Sequence, residues 1–90
     1  MEENNEYMQV VILLNKDIES ITHDKVKVIR IKDKKYNLLI MKDYWPVIGE
    51  LDGDIYFDGD ESFSYEGIKG FYVLSHDIFR LIIVEENHKE

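Results

Sequence analysis

Tyr36-Asn37-Leu38-Leu39-Ile40-Met41-Lys42-Asp43-Tyr44-Trp45-Pro46-Val47-Ile48-Gly49-Glu50-Leu51 is the stretch on which the reading of this chain turns. It holds the only tryptophan and the only proline of the 90 residues. An apolar run feeds a Trp-Pro corner and then turns apolar again, the order expected of a strand, a bend and a return across a core. Proline has no N–H to give to a ladder, so Pro46 belongs at an edge or at a strand start. Two readings of the corner stand side by side. Tyr44, Trp45 and Pro46 form an exposed contact patch, since aromatic residues are enriched at binding hot spots, or Trp45 is a plug in the core.

On both sides of this stretch, β-branched and apolar runs alternate with short polar turns. Upstream, Tyr7 to Leu14 reads as a strand buried on much of both faces. Ile18 to Thr22 is a short strand anchored by Ile18 and Ile21, set off by turns at Asn15-Lys16-Asp17 and His23-Asp24-Lys25. In Val26 to Lys32 the adjacent pair Val28-Ile29 breaks the alternation, which predicts a bulge or a twisted crossing there. Asp33-Lys34 turns the chain into Lys35 to Met41. Downstream, Val47 to Leu51 ends at Asp52-Gly53. Ile55 to Phe57 and Phe63 to Tyr65 flank Asp58-Gly59-Asp60-Glu61, a hairpin signal. Gly67 to Gly70 leads into Phe71 to Leu74, then a turn at Ser75-His76-Asp77 and a last strand, Ile78 to Val84. No window carries a helical stripe. The expectation is an all-β domain, a small β-sandwich of about eight to ten short, mostly antiparallel strands. It fills residues 1–90 as one domain, with 1–6 and 86–90 frayed.

Composition limits the function classes. The net charge of −8 repels nucleic acid and anionic lipid heads, so a direct nucleic-acid reader is disfavoured. No apolar run reaches the ~20 residues of a membrane span. There are no cysteines, hence no disulfide, thiolate nucleophile or thiolate metal site. The acidic group Asp52, Asp54, Asp58, Asp60 and Glu61 does not follow calcium-loop spacing and reads as turn residues on a solvated edge. His23, His76 and His88 are far apart in predicted turns or the tail. The serines lack a Gly-x-Ser-x-Gly bracket, and Gly67 and Gly70 lack the helix and lysine of a phosphate loop. No catalytic, cofactor or metal site is expected, and the chemistry to look for is binding.

Taken in order from about Tyr7 to Glu86, these features resemble the N-terminal β-sandwich of the epsilon subunit of F-type ATP synthases. The first strand is Met8–Leu14, the second ends at Ile21-Thr22, and a Val-x-x-Val-like segment is Val26-Lys27-Val28-Ile29. Tyr36-Asn37-Leu38-Leu39 stands for that family's aromatic-Gly-Ile-Leu run, with Asn37 at the glycine. Tyr44-Trp45-Pro46-Val47 stands for its His-Ala-Pro-Leu corner, without the histidine and about two residues longer. Gly67-Ile68-Lys69-Gly70-Phe71, Ser75-His76-Asp77 and Ile78–Val84 stand for its closing Gly-Gly-Phe, turn and strand. The resemblance implies a non-catalytic rotor component that binds the gamma subunit and the c-ring, peripheral to the cytoplasmic face of the cell membrane. It implies ring contacts from Asp33, Lys34, Lys42, Asp43, Tyr44 and Trp45, and gamma contacts around Tyr72 and Leu74. Typical members continue into two C-terminal helices that brake the motor, so a short form unable to brake in that way is expected. The alternatives are a small acidic inhibitor that mimics the charge of nucleic acid, and a carbohydrate- or peptide-binding module using Tyr44 and Trp45.

Overall fold

The computed structural model describes residues 6–14 and 20–86. Six strands account for most of them: β1 (Met8–Leu14), β2 (Ser20–Asp33), β3 (Asn37–Met41), β4 (Val47–Gly59), β5 (Phe63–Ser75) and β6 (Ile78–Glu86). Neighbours run β1-β6-β5-β4-β2, and β2 returns to β1, so five strands close into a barrel and β3 lies outside the ring on β2. Every pairing is antiparallel except β1 with β6.

The all-β expectation holds, but the strands are six and not eight to ten. Each of β2, β4 and β5 contains two of the segments that the sequence divides. The polar residues His23-Asp24-Lys25, Asp52-Gly53 and Glu66-Gly67 lie inside continuous strands at places where the partner changes. The first half of β2 pairs with β1, and its second half pairs with β3 and β4. Irregular register marks these bends at Val26/Val28, Gly53/Ile55 and Lys69/Gly70. The first is the bulge expected from Val28-Ile29. A bulge adds twist and turns a strand from one sheet layer into the next, which is how a small barrel makes its corners.

Glycine permits the strands to touch at two of these bends. A Cβ on Gly53 would run into the carbonyl oxygen of Lys32, and φ there is 158°, which L side chains rarely adopt. A Cβ on Gly70 would run into the carbonyl oxygen of Ile82. Inside the barrel, Met8, Val10 and Ile12 of β1 meet Ile29, Ile31, Ile55, Leu74, Phe79 and Leu81 from the other strands. Phe57 stacks on Phe63 at 4.6 Å and meets Phe79 edge-on at 6.0 Å, and Tyr72 stacks on Phe79 at 5.5 Å. Among the described residues no charged side chain is buried. Asp58-Gly59-Asp60-Glu61 lies at the β4–β5 hairpin, where Phe57 pairs with Phe63 as expected.

Gly70→Ala is therefore expected to cost roughly 2–3 kcal/mol, because backbone atoms of Ile82 must move to admit the methyl group. That lowers the midpoint of thermal unfolding followed by circular dichroism by about 10 °C or more. The exposed Glu61→Ala serves as control and should shift it little.

Candidate protein-docking surfaces

Two surfaces stand out, and one aspartate shapes the first. Lys42 to Pro46 carries the chain from β3 to β4. The Tyr44 N–H donates to the Met41 carbonyl at 3.1 Å, and Asp43 takes a φ of 69°, which Asp tolerates better than most residues. The Asp43 N–H donates to the Asp77 carboxylate at 2.8 Å, and the Lys42 ammonium lies 3.1 Å from its other oxygen. Asp77 belongs to the two-residue turn between Ser75 and Ile78. Both turn residues have positive φ, 52° at His76 and 62° at Asp77, the backbone of a tight hairpin. The Asp77 carbonyl also accepts the Gln9 N–H at 3.0 Å. One residue thus ties the corner, the β5–β6 turn and the start of β1 together.

This clasp presents Trp45 outward. Its surface is 82% exposed, so the plug reading is excluded. Tyr44 is half-buried and packs against the core, while Pro46 precedes β4 and gives nothing to the ladder. Asp33 and Lys34 lie at the other end of β3 and are fastened to β4. Asp33 accepts the Asp52 N–H at 2.6 Å and the Lys35 N–H at 2.9 Å, and Lys34 donates its N–H to the Asp52 carbonyl and pairs with its carboxylate at 3.6 Å. The six residues assigned to one contact, Asp33, Lys34, Lys42, Asp43, Tyr44 and Trp45, are therefore two groups separated by the length of β3.

The second surface corrects the assignment of Tyr72 and Leu74. Their side chains are 2% and 1% exposed and point into the barrel, so neither can touch a partner. Side chains alternate along a strand, and it is Phe71 and Val73 that face out. On the outer face Val73 lies opposite Ile48, Phe71 lies opposite Ile82, and Ile82 lies opposite Leu13, with Val84 next along β6. Ile48, Phe71, Ile82 and Val84 are all exposed. A signal for this parity exists in the sequence. Glu50, Lys69 and Arg80 must face water, and each stands two residues from Ile48, Phe71 and Ile82 respectively.

Beside this face, the Tyr36 hydroxyl donates to the Glu50 carbonyl at 2.5 Å and shares a 2.8 Å hydrogen bond with the Tyr72 hydroxyl. Burial, then that bond to Tyr72, holds the Tyr36 phenol well above its usual range. Four of the five carboxylates of the acidic group have local roles. Asp54 accepts the Gly67 N–H, Asp58 accepts the Ser62 hydroxyl and Asp60 accepts the Tyr7 hydroxyl, while Asp52 pairs with Lys34. His23 stacks on Phe63 at 4.0 Å, His76 sits in the β5–β6 turn, and His88 lies outside the described residues. Among the described residues no three His, Cys, Asp or Glu side chains are grouped as metal ligands would be, and no helix is long and apolar enough to cross a membrane.

No protein-family model matches the chain, and no curated protein matches it. Among solved structures, it is similar to a chain in the cryo-EM structure of the central stalk/c-ring of the Tetrahymena thermophila mitochondrial ATP synthase. The likeness covers 94% of this chain and 67% of that one, with a TM-score of 0.68 and 12% sequence identity. At that identity it is a likeness of fold.

The clasp has a pH signature. The hydrogen bond from the Asp43 N–H, with the Lys42 ammonium, holds the Asp77 carboxyl below its ordinary value of 3.8. A carboxyl lowered by folding stabilises fully above the ordinary value, and the contribution is lost as pH falls through the folded value. Asp77→Asn, which keeps an acceptor and tolerates positive φ, should cost roughly 1 kcal/mol at pH 7, since water partly screens the pair. The difference in unfolding midpoint between the two proteins should shrink as pH is lowered below about 4.

Proposed function

We propose that this chain is a non-catalytic rotor component of an F-type ATP synthase, the counterpart of the epsilon N-terminal domain. It binds the gamma subunit through the outer face of β4, β5 and β6 and meets the c-ring with the corner at Tyr44 and Trp45. The reading places it at the cytoplasmic face of the membrane, held there by its partners, where it helps couple ion movement to ATP synthesis or hydrolysis. The observation that carries it is the fold likeness to a chain of an ATP synthase central stalk/c-ring over nearly the whole length. The order of sequence features from about Tyr7 to Glu86 points the same way.

The surfaces suit the task. Transmitting torque needs a body that resists shear and two faces that hold different partners. A closed barrel resists shear through its ladder bonds and close-packed core. Ile48, Phe71 and Ile82 give an apolar contact, bordered by Glu50, Arg80 and the Lys69–Glu85 ion pair at 3.9 Å. Burying such a face makes a complex that survives salt, because its main term is removal of apolar surface from water. Trp45 stands apart on a fastened corner, where contact costs little ordering.

A pull-down of this chain with the gamma subunit from the same source, at low and at high salt, tests the reading. A salt-resistant one-to-one complex is expected. Phe71→Asp should weaken it by about 30-fold, the effect of a hot-spot loss of about 2 kcal/mol, with the variant still folded. Trp45→Ala should leave gamma binding unchanged. No complex with folded gamma would overturn the reading.

A further inference from the structure

One charge stands inside the apolar outer face and not at its margin. β6 runs between β5 and β1. Arg80 of β6 lies opposite Val73 on one side and opposite Val11 on the other. Side chains two apart on a strand share a face, so Ile78 and Ile82 flank Arg80 along its own strand. Beyond Arg80 the apolar surface continues onto β1, where Leu13 lies opposite Ile82. None of these neighbours carries a charge.

The other charges of the face are placed differently. Lys69 pairs with Glu85 at 3.9 Å. Glu50 sits on β4 at the margin of the face, beside Tyr36. Arg80 is exposed, and its side chain makes no ion pair or hydrogen bond with any described residue. An unpaired charge is ordinary on a wet surface. A partner that covers Val73 and Ile82, however, carries Arg80 under it. A charge buried without a counter-ion is strongly unfavourable, whereas one that gains a hydrogen-bonded counter-ion is tolerated. The net charge of −8 repels acids at long range, so what Arg80 offers is short-range pairing and not steering.

We infer that the protein segment seated on this face presents one carboxylate, from Asp or Glu, to the Arg80 guanidinium amid apolar contacts to Val73, Ile82 and Val11. The inference rests on the rotor reading, so the segment belongs to the gamma subunit. Charge complementarity identifies it. An arginine fork takes both oxygens of a carboxylate in one plane, and the apolar residues around Arg80 hold water off the pair. Phe71 and Ile82 supply contact area without direction, while the paired bond fixes where the segment lies. An enclosed pair is screened little by salt, in keeping with a salt-resistant complex. Arg80 is then the residue that discriminates between partners. A segment with a lysine or no acid at that point leaves the guanidinium buried against its like or against nothing.

Titration calorimetry of the chain and its Arg80 variants with the gamma subunit from the same source is the test. Arg80→Lys keeps the charge and loses the fork, and should bind about tenfold more weakly. Arg80→Met keeps the stem and loses the charge. It should bind at least about 30-fold more weakly, because the carboxylate of gamma is left buried and unpaired. Arg80→Glu should not bind measurably, and exchange of one aspartate or glutamate of gamma for arginine should restore its binding to within about tenfold of the original. All three variants should keep the thermal midpoint of the unchanged chain, since Arg80 is unpaired and exposed in the free protein. Arg80→Met binding as tightly as the unchanged chain would mean that the guanidinium escapes to water past Ile78 or lies on apolar surface alone. That result, or no exchange in gamma rescuing Arg80→Glu, overturns the inference and leaves the rotor reading standing. No binding of the unchanged chain to folded gamma overturns both.

Discussion

β2, β4 and β5 each pair with one set of neighbours along their first half and another along their second, and the rest of the molecule depends on the bends between. Without them two sheet layers would lie open. With them the layers share strands and close around one core. The bends need backbones to approach more closely than a side chain allows, so Gly53 and Gly70 sit against the Lys32 and Ile82 carbonyls. The residues next to the bends are polar because the chain there turns along the rim of the barrel, not because it leaves the sheet.

From closure follow both surfaces. Bending β4 and β5 lays their halves from Val47 and Phe71 flat beside β6, and the outward set there is apolar. The rim at the other end of those halves is held by Asp77, whose carboxylate reaches across to the Asp43 N–H and Lys42. An exposed tryptophan on a mobile loop would pay for its ordering on binding. Trp45 stands beside a fastened turn and loses less. Stiffness, an apolar face and a fixed aromatic corner are what the proposed place between a shaft and a ring would require.

Much of this was legible in the sequence. Alternation and turn chemistry give the β-class, the β4–β5 hairpin, the turn at His76-Asp77 and the bulge near Val28. Strand number was not legible, because Asp52-Gly53 has the same composition at a bend within β4 as at a turn between strands. Only the partner across from it distinguishes the two. The outward residues of β5 were misassigned by one position. Phe71-Tyr72-Val73-Leu74 is apolar throughout, so its own letters do not say which pair is inside; Lys69 and Arg80 do. That Asp33 and Lys34 lie away from Lys42 to Trp45 depends on β3 standing between them as a strand. Asp77 was visible only as a turn residue, since its bond to Asp43 spans 34 positions of chain.

Methyl-resolved NMR of the labelled chain, with and without the gamma subunit, tests the rotor reading most directly. Docking through the outer face predicts that the methyl signals of Ile48, Val73, Ile82 and Val84 shift or broaden together on titration, while those of Leu39 and Met41 stay in place. Shifts confined to Leu39 and Met41, or none at all with folded gamma in excess, would contradict it.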